Sequence, residues 1–145
     1  MNPFDGTKAN IGVIRFNSRG VNFAQPAVTT EANVCTATLV NPVNGRIYRA
    51  TGYGLVQSNA AAGFTVNYLK HGDSASVGGT EFARHYQDHR VANRTEGVMF
   101  FGEFTYTGTT GATTYNVVLT MSGGGGTSTS RGDLNPMVLV VDEIL

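Results

Sequence analysis

Apolar and polar side chains alternate with a period of two along most of this chain. In GVMFFGEFTYT, Val98, Phe100, Phe104 and Tyr106 fall on one side and Met99, Phe101, Glu103 and Thr105 on the other. In TTYNVVLTMS, Tyr115, Val117, Leu119 and Met121 share a face. Successive side chains of an extended backbone point to opposite sides, so both stretches are predicted strands. GTTGA between them has hairpin length, which predicts that the two pair antiparallel. A second hairpin is predicted where NVCTATLV passes through NPVNG into RIYRATGYGLVQ, because Asn44-Gly45 accepts the positive φ of a tight turn. GFTVNYLKHG sets Phe64, Val66 and Tyr68 against Thr65, Asn67 and Leu69. MVLVVDEIL is apolar almost throughout until Asp142 and Glu143, as expected of a central strand covered on both faces. EFARHYQDHRV has weak 3.6-residue periodicity and no clear C-cap, and reads as a strand. With IGVIRFN and the shorter GVNFA the count is eight or nine strands. The expected fold is all-β: a single antiparallel two-sheet β-sandwich of jelly-roll type over residues 10–145, preceded by an N-terminal arm, MNPFDGTKA, over residues 1–9.

Composition agrees with one β-rich domain. The 145 residues include 19 glycines and no tryptophan, and only 14% are charged, ten positive against ten negative. That balance offers no electrostatic footprint for nucleic acid or an anionic membrane, so neither is an expected partner. No apolar run reaches the roughly 20 residues of a spanning helix, and the first residues carry no signal-peptide apolar region, so a soluble protein made in a cytoplasm is expected. Cys35, the only cysteine, excludes an intrachain disulfide and sits in an apolar stretch that predicts a packed thiol.

Candidate chemistry is sparse. His85 and His89 have the H-x-x-x-H spacing that meets one metal ion on a helix, but on a strand they stand about 13 Å apart. With His71 the only other histidine, exposed strand histidines are expected. The ten carboxylates show no spacing that selects an acid/base pair, and Ser122 and Ser130 lack the G-x-S-x-G frame of an exposed nucleophile. Asn93-Arg94-Thr95 reads as a turn. Gly123 to Gly126 run into TSTS with no lysine following, so they do not form a phosphate cradle. They read as a connection into a short strand, with Arg131-Gly132-Asp133 as a turn before the last strand. No catalytic, cofactor or metal residue is assigned, and an enzyme is not expected.

The order QPAVTTEANVCTATLVNPVNGRIYRATGYGLVQSN, AGFTVNYLKHG, EFTYTGTTGATTYNVVLTMSGGGG and MVLVVDEIL, over about residues 26–145, resembles small β-sandwich virion proteins of tailed phages infecting actinobacteria. The resemblance is carried by the TTE lead-in, the NGRIYRATGYGLVQS strand and the terminal LVVDEIL. It implies a non-enzymatic structural protein of the particle surface, foremost a capsid decoration protein, assembled as a homotrimer on other virion proteins, the major capsid or tail protein, after synthesis in the host cytoplasm. A minor tail protein is the nearest alternative. A receptor- or carbohydrate-binding sandwich is the alternative from another class, with Tyr48, Tyr53, Tyr68 and Tyr86 as candidate sugar platforms. Phe4, the one large apolar residue of the arm, is the candidate partner-binding residue.

Overall fold

The computed structural model describes residues 13–73 and 77–145. The arm over residues 1–9 and its Phe4 lie outside the described residues. Ten strands run in order: β1 (Ile14–Asn22), β2 (Ala27–Val28), β3 (Ala32–Thr38), β4 (Ile47–Ser58), β5 (Gly63–Gly72), β6 (Thr80–His89), β7 (Thr95–Thr105), β8 (Asn116–Gly124), β9 (Ser128–Ser130) and β10 (Met137–Ile144). Among the described residues there is no helix.

The strands form two antiparallel sheets packed as a sandwich. In the first, β1, β10, β4 and β7 lie side by side, and the short β9 and β2 continue the sheet beyond the end of β10. The second has the order β3-β8-β5-β6. Alternation places Tyr48, Ala50, Val56, Leu69, Val117, Leu119, Met121, Met137, Leu139 and Val141 between the sheets, all with no exposed surface. Segments predicted as separate strands, IGVIRFN and GVNFA, join in one strand, β1, with a bulge between Phe16 and Ser18.

Both predicted hairpins are replaced by crossovers. β7 pairs with β4 in the first sheet whereas β8 pairs with β3 and β5 in the second, and β3 and β4 are likewise in different sheets. The two connectors bond to one another instead of closing hairpins. Gly45 N donates to Tyr106 O at 2.7 Å, Tyr106 N to Arg46 O at 2.9 Å, and Gly111 N to Pro42 O at 2.7 Å. Gly45 does adopt the expected positive φ, at 81°, but its turn belongs to an arch between layers. Of the long strands, only β5 and β6 are consecutive and paired.

Two seams close the sandwich, β1 over β3 and β6 against β7. At the first, a Cβ on Gly20 would stand 2.2 Å from the Thr36 carbonyl oxygen, so the close approach of the two backbones requires glycine. β10 is central, between β1 and β4, as expected. Its coverage is complete on the inner side, whereas on the outer side Val138 is buried and Val140 and Ile144 are half-exposed.

Candidate functional site

Four places merit a chemical reading: a buried hydroxyl–imidazole chain, the Arg-Gly-Asp turn, the tyrosines, and the outer face of the first sheet.

β6 places His85 and His89 on its inner side, contrary to the exposed positions expected of them. His89 is 1% exposed. Its Nε2 lies 2.7 Å from Thr65 Oγ1, which is 2.7 Å from Ser128 Oγ. Its Nδ1 lies 3.1 Å from Glu96 Oε2, within ion-pair range but off the hydrogen-bonding direction. A hydroxyl, an imidazole and a carboxylate in line have the order of a nucleophilic triad. Here, however, Thr65 and Ser128 have no exposed surface, so the hydroxyls cannot meet a substrate and the chain serves to satisfy polar groups between the sheets. Spacing in the sequence could not find it, because its members come from β5, β6, β7 and β9. Among the described residues no three His, Cys, Asp or Glu side chains are grouped to hold a metal ion.

The Arg-Gly-Asp turn is folded onto itself. Arg131 Nε and Nη2 donate to Asp133 Oδ1 and Oδ2 at 2.9 and 2.7 Å, and this pairing holds the Asp133 carboxyl below its usual value. Gly132 is buried against the backbone of Phe23 and Ala24, with no room for a Cβ. Charges satisfied by each other and a buried glycine make a turn, as expected. The glycine run before it is shared: Gly123 and Gly124 end β8, paired with Thr65 and Phe64, and Gly125, at φ 70°, and Gly126 turn the chain towards β9. Asn93, at φ 61°, also lies in a turn.

The tyrosines separate. Tyr48 is fully buried, and its hydroxyl accepts a hydrogen bond from Val43 N at 3.0 Å. Tyr53 lies on the outer face of the first sheet. Tyr68 and Tyr86 lie on the outer face of the second, where Lys70 Nζ and Arg84 Cζ sit 5.4 and 5.1 Å from the Tyr68 ring centre and Tyr86 stacks on Phe64 at 5.0 Å. These rings are engaged by neighbours on their own sheet. Val66 and Val118 are buried on that face beneath longer polar side chains, with Lys70 paired to Glu31, Arg84 to Glu81, and Thr120 donating to Glu31 at 2.6 Å.

The outer face of the first sheet is the opposite. Cross-strand register builds one row of Val21, Val138, Tyr53 and Met99, a second of Arg19, Val140, Thr51 and Phe101, and a third of Phe16, Asp142, Arg49 and Glu103. Met99 is 74% exposed, Phe101 66% and Phe16 62%, with Ile14 and Ile47 exposed beyond them. An antiparallel sheet with a solvated face ordinarily alternates apolar inside with polar outside, so this second apolar side is the feature that folding alone does not require.

No protein-family model matches the chain, and no curated protein matches it.

Cys35 carries no reactive chemistry. It is 4% exposed and burial pushes its thiol up to about 11, so its thiolate, the nucleophilic form, is scarce at neutral pH. A disulfide reagent such as dithionitrobenzoate should leave Cys35 unmodified in the native protein and titrate one thiol in denaturant. Stoichiometric reaction of the folded chain would place the side chain outside the core.

Proposed function

We propose that this protein is a non-enzymatic structural component of a tailed-phage particle, a decoration protein of the capsid surface, and that it assembles as a homotrimer in which copies bury the outer face of the first sheet. The observation that carries the assembly half is that face, with Phe16, Met99 and Phe101 standing in solvent on an otherwise close-packed sandwich.

Its size suits a contact between copies. Four strands of 8 to 12 residues, about 4.8 Å apart, make a face of roughly 600 Å², of the order of the ~800 Å² per partner of a standard interface. Its charges suit one too. Arg19 and Arg49 are balanced by Glu103 and Asp142, so the face carries no net charge to repel a neighbouring copy. Arg49 Nε already donates to Glu103 at 2.9 Å, and its guanidinium lies 5.7 Å from the Phe101 ring centre.

Strand order supports the jelly-roll reading. The eight long strands take the orders β1-β10-β4-β7 and β3-β8-β5-β6, with the first and last neighbours in one sheet and most links crossing between sheets. The phage setting rests on the sequence resemblance, and attachment of the arm through Phe4 belongs to the same proposal.

Light scattering of the purified chain is expected to give a trimer. Met99→Asp/Phe101→Asp should give a monomer that keeps a cooperative thermal transition, less stable than the trimer by the association energy it has lost. A wild-type monomer at high micromolar concentration would overturn the self-assembly half. For the particle half, labelled protein should decorate capsids in electron micrographs, and label confined to tails would select the minor-tail alternative.

A further inference from the structure

All three histidines of the chain line a single seam. β6 is the free edge of the second sheet and β7 the free edge of the first, and the two close one side of the sandwich. On the inner side of β7 stand Glu96, Phe100 and Phe104, and each meets one imidazole. His71 stacks on Phe104 with ring centres 4.2 Å apart and planes at 9°. His85 packs against Phe100 at 5.6 Å, and His89 faces Glu96.

The three surroundings differ in charge. His71 is bounded by Phe82, Phe104 and Tyr115, and its Nδ1 lies 2.6 Å from the Tyr115 hydroxyl. Asp73 acts on Tyr115. His85 is opposite Asn67 of β5 and against Phe100 of β7, and its buried Nδ1 has no hydrogen-bond partner among the described residues. Arg84 and Tyr86 beside it turn to the outer face of the sheet with Glu81 and Lys70, and among the described residues the rings that meet His71 and His85 are those of Phe82, Phe100, Phe104 and Tyr115. His89 has Glu96 from β7, Thr65 from β5 and Ser128 from β9 around it, with Gln87 donating to the same Glu96 oxygen at 3.1 Å. Positive charge on its ring is met by a carboxylate. Positive charge on the other two is met by phenyl rings and neutral amide or hydroxyl groups.

We propose that mild acid opens this seam from its Phe104 end, separating β6 from β7 around His71 and His85, while the His89–Glu96 end stays closed and acts as the hinge. Burial holds both His71 and His85 below the ordinary imidazole value of 6.5. Above that value both rings are neutral whether the seam is open or closed, and pH has no leverage. As pH falls below it, the open form, in which the rings meet water, binds protons that the closed form refuses. Opening is therefore favoured by up to about tenfold per pH unit for each histidine until the lowered values are passed. The surface uncovered is apolar, Phe82, Phe100 and Phe104.

Amide hydrogen exchange of the full chain at pH 7.5 and 5.5, corrected for intrinsic rates, tests this. Protection over residues 80–86 and 99–105 is expected to fall severalfold at the lower pH, by up to about tenfold for each histidine, with residues 88–89 and 95–97 and the strands β8 and β10 unchanged. His71→Phe/His85→Phe should remove the difference. Equal loss in every strand, or none at all, would overturn the proposal. Should that variant not fold, proton titration of the wild-type imidazole resonances decides it: midpoints for His71 and His85 at or above 6.5 would overturn it, and lower midpoints accompanied by broadening of Phe100 and Phe104 signals would support it.

Discussion

Removal of residues 138–145 is expected to abolish cooperative folding. The segment is nearly all of β10, which pairs with β1 from Ile14 to Asn22 and with β4 from Ile47 to Tyr53, so without it those two strands lose their shared neighbour. Leu139 and Val141 have no exposed surface, and truncating one such side chain typically costs about 2 to 5 kcal/mol. Loss of the whole strand exceeds the roughly 5 to 15 kcal/mol by which a domain is stable. Circular dichroism should show no cooperative thermal transition for the truncated chain. The single substitution Leu139→Ala should leave a measurable two-state transition weakened by about 2 to 5 kcal/mol in urea. A truncated chain that melts near the full protein would show that β1 and β4 find each other without β10.

Arg15→Met/Arg46→Met is expected to cost about 3 to 5 kcal/mol, the range for leaving a buried charge without its partner. The buried charge is Glu143, whose side chain is 3% exposed on the inner side of β10. Arg15 Nε donates to its Oε2 at 3.0 Å and Arg46 Nη1 to its Oε1 at 2.9 Å. The two guanidiniums cap an end of the core that would otherwise present a bare carboxylate to Tyr48. Arg15 is itself largely exposed, so its attraction is screened by water, and Arg15→Met alone should cost no more than about 1 kcal/mol while Arg46 remains. Adding Glu143→Leu to the double variant should restore most of the loss, because an apolar side chain of similar size removes the desolvated charge. Urea midpoints of the single, double and triple variants measure this, and a triple variant no more stable than the double would show that the cost lies in the arginine stems and not in the carboxylate.

Strand existence was legible because it depends on neighbours in sequence. Val98, Phe100 and Phe104 face inward in β7 as their alternation predicts, and Val117, Leu119 and Met121 do so in β8. EFARHYQDHRV is a strand, and TSTS contains β9, the short strand expected after the glycines. The site was only half legible. Met99 and Phe101 alternate with Phe100, so two apolar sides can be read in that segment, but the apolar outer face exists only because β1, β10 and β4 bring Phe16, Val140 and Tyr53 into register beside it.

Alternation, turn residues and the distribution of charge thus determined by themselves that this chain is an all-β, two-sheet sandwich. Tertiary structure alone decided which strands are neighbours, that Thr65 meets His89, that three histidines share one seam and that Arg131 turns back on Asp133. The physical reason lies in the range of the forces. A period of two is imposed by steric contacts within a residue or two along the backbone. Whether GTTGA closes a hairpin or spans two layers is settled by bonds such as Gly45 N to Tyr106 O, between residues that no local pattern connects.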